Sequence, residues 1–263
     1  MRSIDINCDC GESFGNWSLG ADDQLLPLIT TANVACGFHG GDPLVMRRTV
    51  AMAKANGIAV GAHPGLRDLE GFGRRPMRIT PDEAYAMVVY QTGALTAFLR
   101  AAGMALHHVK PHGALYSMLN VEDDLAEAVA RAILDTCPTP LLYWPAPFEK
   151  HALPRAAKAA GIPVVGEVYF DLLYDDEGSI IVERRKTEKD PKDVAERARR
   201  FVRSGEVVSV SGKPIAIDAG SVCIHSDGPN AVAIAEAVIG VLREEVVAIE
   251  AVQVARKETD RDL

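Results

Sequence analysis

Lys110 and His112 stand two residues apart in the stretch VKPHGALY, on either side of Pro111 and just before Gly113. A lysine can stabilise negative charge on a substrate oxygen, and a histidine can exchange a proton near neutral pH. Proline and glycine interrupt regular structure, so the pair is expected where a strand-like run over 106–110 passes into a loop. The stretch predicts an acid–base or anion-binding site.

Ionisable and amide side chains also follow other short apolar runs in the sequence. Histidines in such positions are usually turn residues, and Asp42 before Pro43 is typical of a helix N-cap. Their repeated occurrence at the same end of successive runs nevertheless predicts a functional cluster. Its members are Asp5, Asn7, Asp9 and Glu12 after the first run, His39 and Asp42 after the second, His63 after the third, Glu167 and Asp171 after the sixth, and Asp218, His225 and Asp227 after the last.

These runs alternate with segments of helical periodicity, as in parallel βα units. Strands are predicted at 3–8, 33–36, 58–62, 106–110, 141–144, 163–168 and either 215–218 or 222–225. Helices are predicted at 43–56, 81–102, 122–136, 147–160, 192–204 and 229–249. The pattern predicts an α/β fold, a (β/α) barrel of about seven parallel strands, with an open doubly wound sheet as the alternative.

The predicted barrel explains why the polar residues matter together. In a parallel barrel the carboxyl ends of the strands meet at one mouth, where barrel enzymes place their chemistry. No Pro/Gly/Ser-rich linker divides the chain, so residues 1–255 are predicted to form a single barrel domain and residues 256–263 a frayed tail. Two segments depart from the alternation: a Gly- and Arg-rich loop at 64–79, long enough for a lid, and a hairpin insertion at 171–190.

Composition excludes several classes of function. The 263 residues carry a formal net charge of -8, which provides no basic surface for nucleic acid or an anionic membrane. We find no apolar segment long enough for a membrane span and no signal-peptide pattern, so a cytoplasmic protein is expected. The five cysteines form no C-x-x-C pair and are odd in number, which favours reduced thiols.

The absence of several catalytic motifs leaves two possible kinds of chemistry for the predicted site. The chain has no Walker-type phosphate loop and no G-x-S-x-G elbow, and Cys36 near His39 is better interpreted as a core residue than as a nucleophile. One possibility is a divalent metal held by Asp9 or Glu12 with His39 and His63. The other is direct acid–base hydrolysis of an amide, with Lys110 stabilising an oxyanion or a phosphoryl group. In either case Arg74 and Arg75 can clamp a substrate carboxylate.

Four segments in order resemble a known family. DINCDCGESFG, ANVACGFHGGDP, GAHPGLRDLEGFGRR and VKPHGALY are similar to successive signatures of the LamB/YcsF family, whose members are A subunits of bacterial ATP-dependent 5-oxoprolinase. The resemblance implies a barrel of the glycoside hydrolase/deacetylase type. It also implies opening of 5-oxo-L-proline (pyroglutamate) to L-glutamate, coupled to hydrolysis of ATP with Mg²⁺, together with partner subunits B and C.

The resemblance also suggests roles for individual residues. Asp9 or His112 would activate water, His39 or His63 would protonate the departing nitrogen, and Lys110 would stabilise charge. Glu12 completes the expected catalytic set. The expected substrate-binding residues are Asn7, Arg74, Arg75, Glu167, Asp171, His225 and Asp227. If a metal is present, Asp9, His39 and His63 are its expected ligands.

The later part of the chain departs from the family pattern. Leu172 replaces an arginine in EVYFDLLY, and Ser226 replaces a glycine in CIHSD. Arg184, after the predicted hairpin, can compensate for the missing arginine. Two alternative functions remain open at this point: a metal-dependent amidohydrolase or deacetylase that needs no ATP, and a non-catalytic subunit of a lactam-hydrolysing complex.

Overall fold

The computed structural model describes residues 3–181 and 186–253. In this part of the chain the strands are β1 Ser3–Cys10, β2 Thr31–Ala35, β3 Ala59–His63, β4 Leu106–Val109, β5 Leu142–Pro145, β6 Val164–Tyr169, β7 Leu173–Tyr174, β8 Ile180–Ile181, β9 Glu206–Val208, β10 Pro214–Ala216, β11 Ser221–His225 and β12 Ala248–Ile249. The helices are α1 Asp22–Leu25, α2 Pro43–Ala55, α3 Pro81–Ala101, α4 Gly113–Leu119, α5 Asp123–Thr136, α6 Ala152–Ala159, α7 Pro191–Ser204 and α8 Ala231–Glu244, with a 3-10 turn at Leu26–Leu28.

Seven parallel strands within the described ranges close into a barrel in the order β1, β2, β3, β4, β5, β6 and β11. The pairing of β11 with β1 closes it, with Asn7 opposite Cys223 and Asp9 opposite His225. On its other side β1 places Asp9 opposite Asn33 of β2. The predicted closed barrel is confirmed, and the open sheet is excluded by the β1–β11 pairing.

The alternation along β1 determines where its polar residues lie. Ile4, Ile6, Cys8 and Cys10 belong to the hydrophobic core under the helices. The intervening residues Asp5, Asn7 and Asp9 therefore face the barrel interior, because successive strand side chains point to opposite faces. The prediction that these three follow the first strand was wrong: they lie within it.

Helix boundaries follow recognisable signals. Asp42 accepts hydrogen bonds from the backbone N–H groups of Leu44 and Val45, which confirms it as the N-cap of α2. The Thr80 hydroxyl and the Glu83 carboxylate form a capping box at the start of α3. These caps fix where the helices begin and hence the lengths of the loops at the mouth.

Several predicted elements need correction. The run at 215–218 is not a barrel strand, because β10 pairs antiparallel with β9 outside the barrel; β11 provides the seventh strand. Helix α6 begins at Ala152 rather than 147, and α8 ends at Glu244 because 248–249 pair with β1 as β12. Helix α4 was missed, since the Pro111 and Gly113 before it indicate a turn.

The loop at 64–79 and the insertion that begins at 171 both contribute residues to the mouth of the barrel. Strands β7 and β8 form the predicted antiparallel hairpin. Arg184 lies outside the described residues, as does the predicted tail at 256–263. Among the residues that are described, no helix combines the length and the apolar character needed to cross a membrane.

Candidate active site

The floor of the barrel interior is built around Asp5, which the sequence pattern had assigned to the mouth. Its carboxylate accepts hydrogen bonds from the hydroxyl groups of Thr30, Thr31, Ser221 and, at 3.1 Å, Tyr143. Burial raises the pKa of Asp5, and the hydroxyl donors oppose that rise. Asp5 precedes Asp9 by four residues on one strand, a separation of roughly 13 Å. It is therefore a structural group below the site.

A layer of amide and imidazole groups lies above Asp5 and orients two carboxylates. Asn7 Nδ2 donates to Glu167 Oε1 at 2.9 Å, and Asn33 Nδ2 donates to Asp9 Oδ1 at 2.7 Å. His108 Nε2 lies 2.6 Å from Asn33 Oδ1 and fixes that amide. Sequence reasoning missed Asn33 and His108, although both occupy interior-facing positions of predicted strands. The prediction that Asn7 and Glu167 contact substrate is untested; in the structure both support the residues above them.

Lys110 projects from the end of β4 into the centre of the barrel. Its Nζ lies 3.1 Å from Asp9 Oδ1, 3.0 Å from Glu167 Oε1 and 3.0 Å from Cys223 Sγ. Burial would lower the pKa of Lys110, but the neighbouring acidic groups, Asp9 foremost, outweigh it and hold the pKa well above its usual value. Burial would likewise raise the pKa of Asp9, whereas His63 and Lys110 hold it well below its usual range. The two groups form a buried ion pair at neutral pH.

Three imidazole rings meet beside this ion pair. His39 and His112 are stacked with ring centroids 3.7 Å apart, and His63 stands edge-on to both. His63 Nε2 lies 3.4 Å from Asp9 Oδ2 and 2.9 Å from His112 Nδ1. Burial, followed by the positive charge of neighbouring histidines, lowers the pKa of His39 and of His112 well below the usual value. Both rings are therefore neutral at pH 7.

Glu12 is the carboxylate on the far side of the imidazole rings. Its Oε1 lies 3.3 Å from His39 Nε2 and 4.0 Å from His112 Nδ1. Burial and the negative charges of Asp9 and Asp227 raise the pKa of Glu12 well above its usual value. The carboxyl group is thus shielded from bulk water and directed at the histidines.

The loop at 64–79 covers the histidines from one side. The Phe72 ring stands edge-on to His39 and His112, and the Phe72 carbonyl oxygen accepts a hydrogen bond from His112 Nε2 at 2.8 Å. Phe72 has a φ of 54°, and Gly73 has a φ of 64°. A Cβ at Gly73 would lie 2.6 Å from His39 Cβ, so this position requires glycine for both its conformation and its close approach.

A cavity of about 270 Å³ opens above Lys110. Of the predicted site residues, Asp9, His63, Arg74, Lys110, His112 and His225 line it. Tyr116, Tyr143, Trp144, Tyr169, Leu172 and Ile180 contribute an aromatic and aliphatic wall. The volume is slightly below the range of about 300–1,000 Å³ found for typical ligand pockets, so a small cyclic molecule suits it.

Cationic groups line the outer part of the cavity. Arg74 Nη2 lies 3.0 Å from Asp227 Oδ2, and Lys186 Nζ lies 3.8 Å from Asp227 Oδ1. His225 Nδ1 lies 2.7 Å from Asp171 Oδ2. Burial would raise the pKa of Asp171, but the charge of His225 outweighs it and lowers the pKa. Asp171 and Asp227 therefore hold the basic side chains at the rim rather than lining the cavity themselves.

Comparison with known proteins places this architecture in a family. The LamB/YcsF family model matches residues 4–257. This chain belongs to the LamB/YcsF family. It is 50% identical over 234 residues to the A subunit of 5-oxoprolinase from Symbiobacterium thermophilum, covering 88% of each chain. It is 46% identical over 263 residues to the A subunit of 5-oxoprolinase from Geobacillus thermodenitrificans, covering 99% of this chain and 100% of the relative.

A solved structure shares the fold across nearly the whole length. The Lactam Utilization Protein from Thermus thermophilus is similar with a TM-score of 0.88 and 42% sequence identity, over 95% of this chain and 100% of that one. The similarity confirms the family resemblance that the four sequence segments predicted.

Within this LamB/YcsF chain the predicted site residue Arg75 and the thiol of Cys36 lie outside the cavity wall. Arg75 donates to Asp68 through Nε at 2.8 Å, its side chain is 61% exposed, and it contributes nothing to the cavity wall. Cys36 is buried, donates its thiol hydrogen bond to the Val34 carbonyl oxygen, and has a pKa raised to about 12 by burial. Arg75 braces the loop, and Cys36 is a core residue, as its sequence context indicated.

Lys186 and Leu172 also line the cavity, but only Leu172 was singled out in the sequence analysis. Lys186 lines the cavity with its side chain only 8% exposed, yet its setting in the charged run ERRKTEK is typical of a solvated segment. Leu172, which the sequence analysis interpreted as a departure from the family pattern, is buried and also lines the cavity. The side chain at position 172 therefore forms part of the surface that a ligand would meet.

Proposed function

We propose that this chain is the A subunit of an ATP-dependent 5-oxoprolinase that opens the lactam ring of 5-oxo-L-proline to give L-glutamate. The observation that carries the proposal is the buried Lys110 ammonium at the base of a small, partly aromatic cavity, with Asp9 beside it and basic residues at the rim. The names of relatives at 44–50% identity support the substrate class. The partners in this proposal are subunits B and C.

The cavity offers complementary surfaces to the parts of 5-oxo-L-proline. The substrate carboxylate binds near Arg74 and Lys186, which already face the carboxylate of Asp227. The ring packs against Tyr169, Trp144 and Leu172. This orientation directs the amide toward Lys110, which lines the cavity beside Asp9.

Lys110 and Asp9 divide the chemistry of ring opening. The ammonium stabilises negative charge on the former amide oxygen, and Asp9 takes a proton from the attacking water and delivers it to the ring nitrogen. Asp9 is a weak base while Lys110 remains paired with it. When Lys110 turns toward the substrate oxygen, one of the charges that lower the pKa of Asp9 is diverted, and its basicity increases. His63 orients Asp9 from the opposite side.

The need for ATP follows from the stability of the lactam. An amide in a five-membered ring is resonance-stabilised, and its hydrolysis has little driving force. Phosphorylation of the amide oxygen activates the carbonyl carbon, so that attack by water and cleavage of the C–N bond leave an acyl phosphate. A second water then releases L-glutamate and phosphate, and the overall reaction is exergonic. The chain lacks a Walker-type loop, so in this proposal the lactam and the ring-opening step belong here while subunits B and C contribute to the use of ATP and Mg²⁺.

Glutamate release from 5-oxo-L-proline tests the proposal. The purified chain is assayed alone and with subunits B and C from the same source, each with and without ATP and Mg²⁺. We expect glutamate only from the complete, ATP-supplied mixture. Glutamate from the chain alone without ATP would instead support the second candidate, a metal-dependent amidohydrolase, which the convergence of His63, His112 and Glu12 favours.

A further inference from the structure

We propose that His63, His112 and Glu12 form a binding site for one divalent transition-metal ion, with His39 as the residue that positions Glu12. One ligand atom from each of these four residues lies within 4.8 Å of the others. The site differs from the set of Asp9, His39 and His63 that the sequence suggested. Its geometry is argued from the protein alone, while any part that it plays in ring opening rests on the proposed function.

The hydrogen bonds of two rings leave two nitrogen lone pairs facing each other. His63 Nδ1 lies 2.6 Å from the Lys110 carbonyl oxygen, and His112 Nε2 lies 2.8 Å from the Phe72 carbonyl oxygen. A carbonyl oxygen only accepts, so both of these nitrogens carry hydrogen. When both rings are neutral, His63 Nε2 and His112 Nδ1 have no hydrogen and are only 2.9 Å apart. A cation between these two nitrogens would stabilise this arrangement.

A metal ion satisfies this arrangement better than an extra proton. A single metal ion can contact both of these nitrogens and the buried Glu12 carboxyl group, whereas one proton bridges only two atoms. Metal-binding histidines usually donate their second N–H to a carbonyl or carboxylate oxygen, as both rings do here. Tetrahedral zinc with bonds of about 2.0–2.1 Å separates its ligand atoms by about 3.3 Å. This value lies between the 2.9 Å from His63 Nε2 to His112 Nδ1 and the 4.0 Å from His112 Nδ1 to Glu12 Oε1. Two histidines and one glutamate would supply three protein ligands, the number typical of zinc sites that keep a fourth position for water or substrate.

His39 is assigned a positioning role by its own hydrogen bonds. Its Nε2 lies 3.3 Å from Glu12 Oε1, whereas its buried Nδ1 has no hydrogen-bond partner among the described residues. A hydrogen on Nδ1 would be unsatisfied, because this buried atom has no acceptor within hydrogen-bonding distance among the described residues. His39 therefore carries its hydrogen on Nε2 and donates it to Glu12, which leaves no lone pair on Nε2 for a metal.

Metal binding is measured without substrate or turnover. The full chain is treated with a chelator, dialysed, and titrated with ZnCl₂ by calorimetry and with CoCl₂ by visible absorption. We expect one equivalent of Zn²⁺ per chain and Co²⁺ bands of four- or five-coordinate geometry. His63→Ala and His112→Ala should abolish saturable binding, whereas His39→Gln should weaken it about 10–100-fold at unchanged stoichiometry. His107→Ala, outside the cluster, should bind normally.

Variant folding is checked by circular dichroism, and Glu12→Gln, a close isostere, serves where an alanine variant does not fold. Absence of saturable Zn²⁺ and Co²⁺ binding by the unmodified chain would overturn the proposal, as would binding that survives the changes at His63, His112 and Glu12. Loss of stoichiometric binding in His39→Gln would contradict its positioning role. A chain that binds Zn²⁺ but never contributes to glutamate release would contradict the proposed function and leave the metal site intact.

Discussion

Lys110 Nζ lies 3.0 Å from Glu167 Oε1, although Lys110 directly follows β4, Glu167 lies on β6, and β5 stands between these two strands. The contact exists because the closed barrel directs both side chains into one interior. Asp9 adds a second carboxylate at 3.1 Å, so a single buried ammonium is shared between two acids. The Lys110 ammonium can therefore turn from one of these carboxylates to a substrate oxygen while it stays buried.

Replacing Lys110 by methionine should abolish most turnover. Loss of the charge at the oxyanion should lower kcat about 10²–10³-fold in the complete ATP-supplied mixture. The change also leaves Asp9 and Glu167 without their cation and should destabilise the fold by about 3–5 kcal/mol, measured by urea unfolding. Adding Glu167→Gln should restore part of the stability but no turnover. Lys158→Met, at an exposed position of α6, is the control; substantial activity in Lys110→Met would contradict the assigned role.

Neighbouring arginines in the loop at 64–79 should behave differently. Arg74→Ala removes a cation from the cavity wall and should raise the KM for 5-oxo-L-proline about tenfold or more, with a smaller effect on kcat. Arg75→Ala removes a brace on Asp68 outside the cavity and should leave KM near its original value. Lys186→Ala should resemble Arg74→Ala. Equal KM values for the two arginine variants would show that the carboxylate binds elsewhere.

Cysteine chemistry should be dispensable for activity. The five thiols are buried, and the pKa of Cys36 is raised to about 12, so almost no thiolate is present at neutral pH. Cys36→Ala should retain turnover within about threefold, and iodoacetamide should modify the native chain far more slowly than the urea-unfolded chain. If iodoacetamide rapidly inactivated the native chain but not the Cys36→Ala variant, Cys36 would be a catalytic nucleophile and this prediction would be wrong.

The Asp68–Arg75 pair should make stability depend on pH in the acid range. Hydrogen bonding by Arg75 lowers the pKa of Asp68 in the folded chain. Because the pKa of Asp68 is lower in the folded chain, its carboxylate stabilises the fold fully at pH values above the unfolded pKa of about 3.9. This stabilisation is lost as pH falls through the pKa of Asp68 in the folded chain. The unfolding free-energy difference between the original chain and Asp68→Asn should therefore be largest near pH 7 and smaller near pH 3. Glu127→Gln, on an exposed face of α5, provides a control without this pattern.

Local signals in the sequence were sufficient for most of the scaffold. Periodicity identified six helices and six of the seven barrel strands, and limited the seventh to two runs, because amphipathic segments and strands depend on nearby residues. Asp42 and Thr80 were recognisable as caps for the same reason. The strand-end residues Lys110, His112 and His63 were also identified, since position in a βα unit is a property of the chain. The four signature segments identified the family.

Tertiary structure decided which of these residues meet. Register along β1 placed Asp5 on the floor and Asp9 in the site, and hydrogen bonding in the loop at 64–79 turned Arg74 inward and Arg75 outward. Lys186 lines the cavity with its Nζ 3.8 Å from Asp227 Oδ1, a contact between residues far apart in the sequence. The separation of 2.9 Å between His63 and His112 depends on barrel closure and on two backbone carbonyl groups. Side-chain types are encoded locally, but distances between strands, burial and the resulting pKa shifts arise only when the barrel closes.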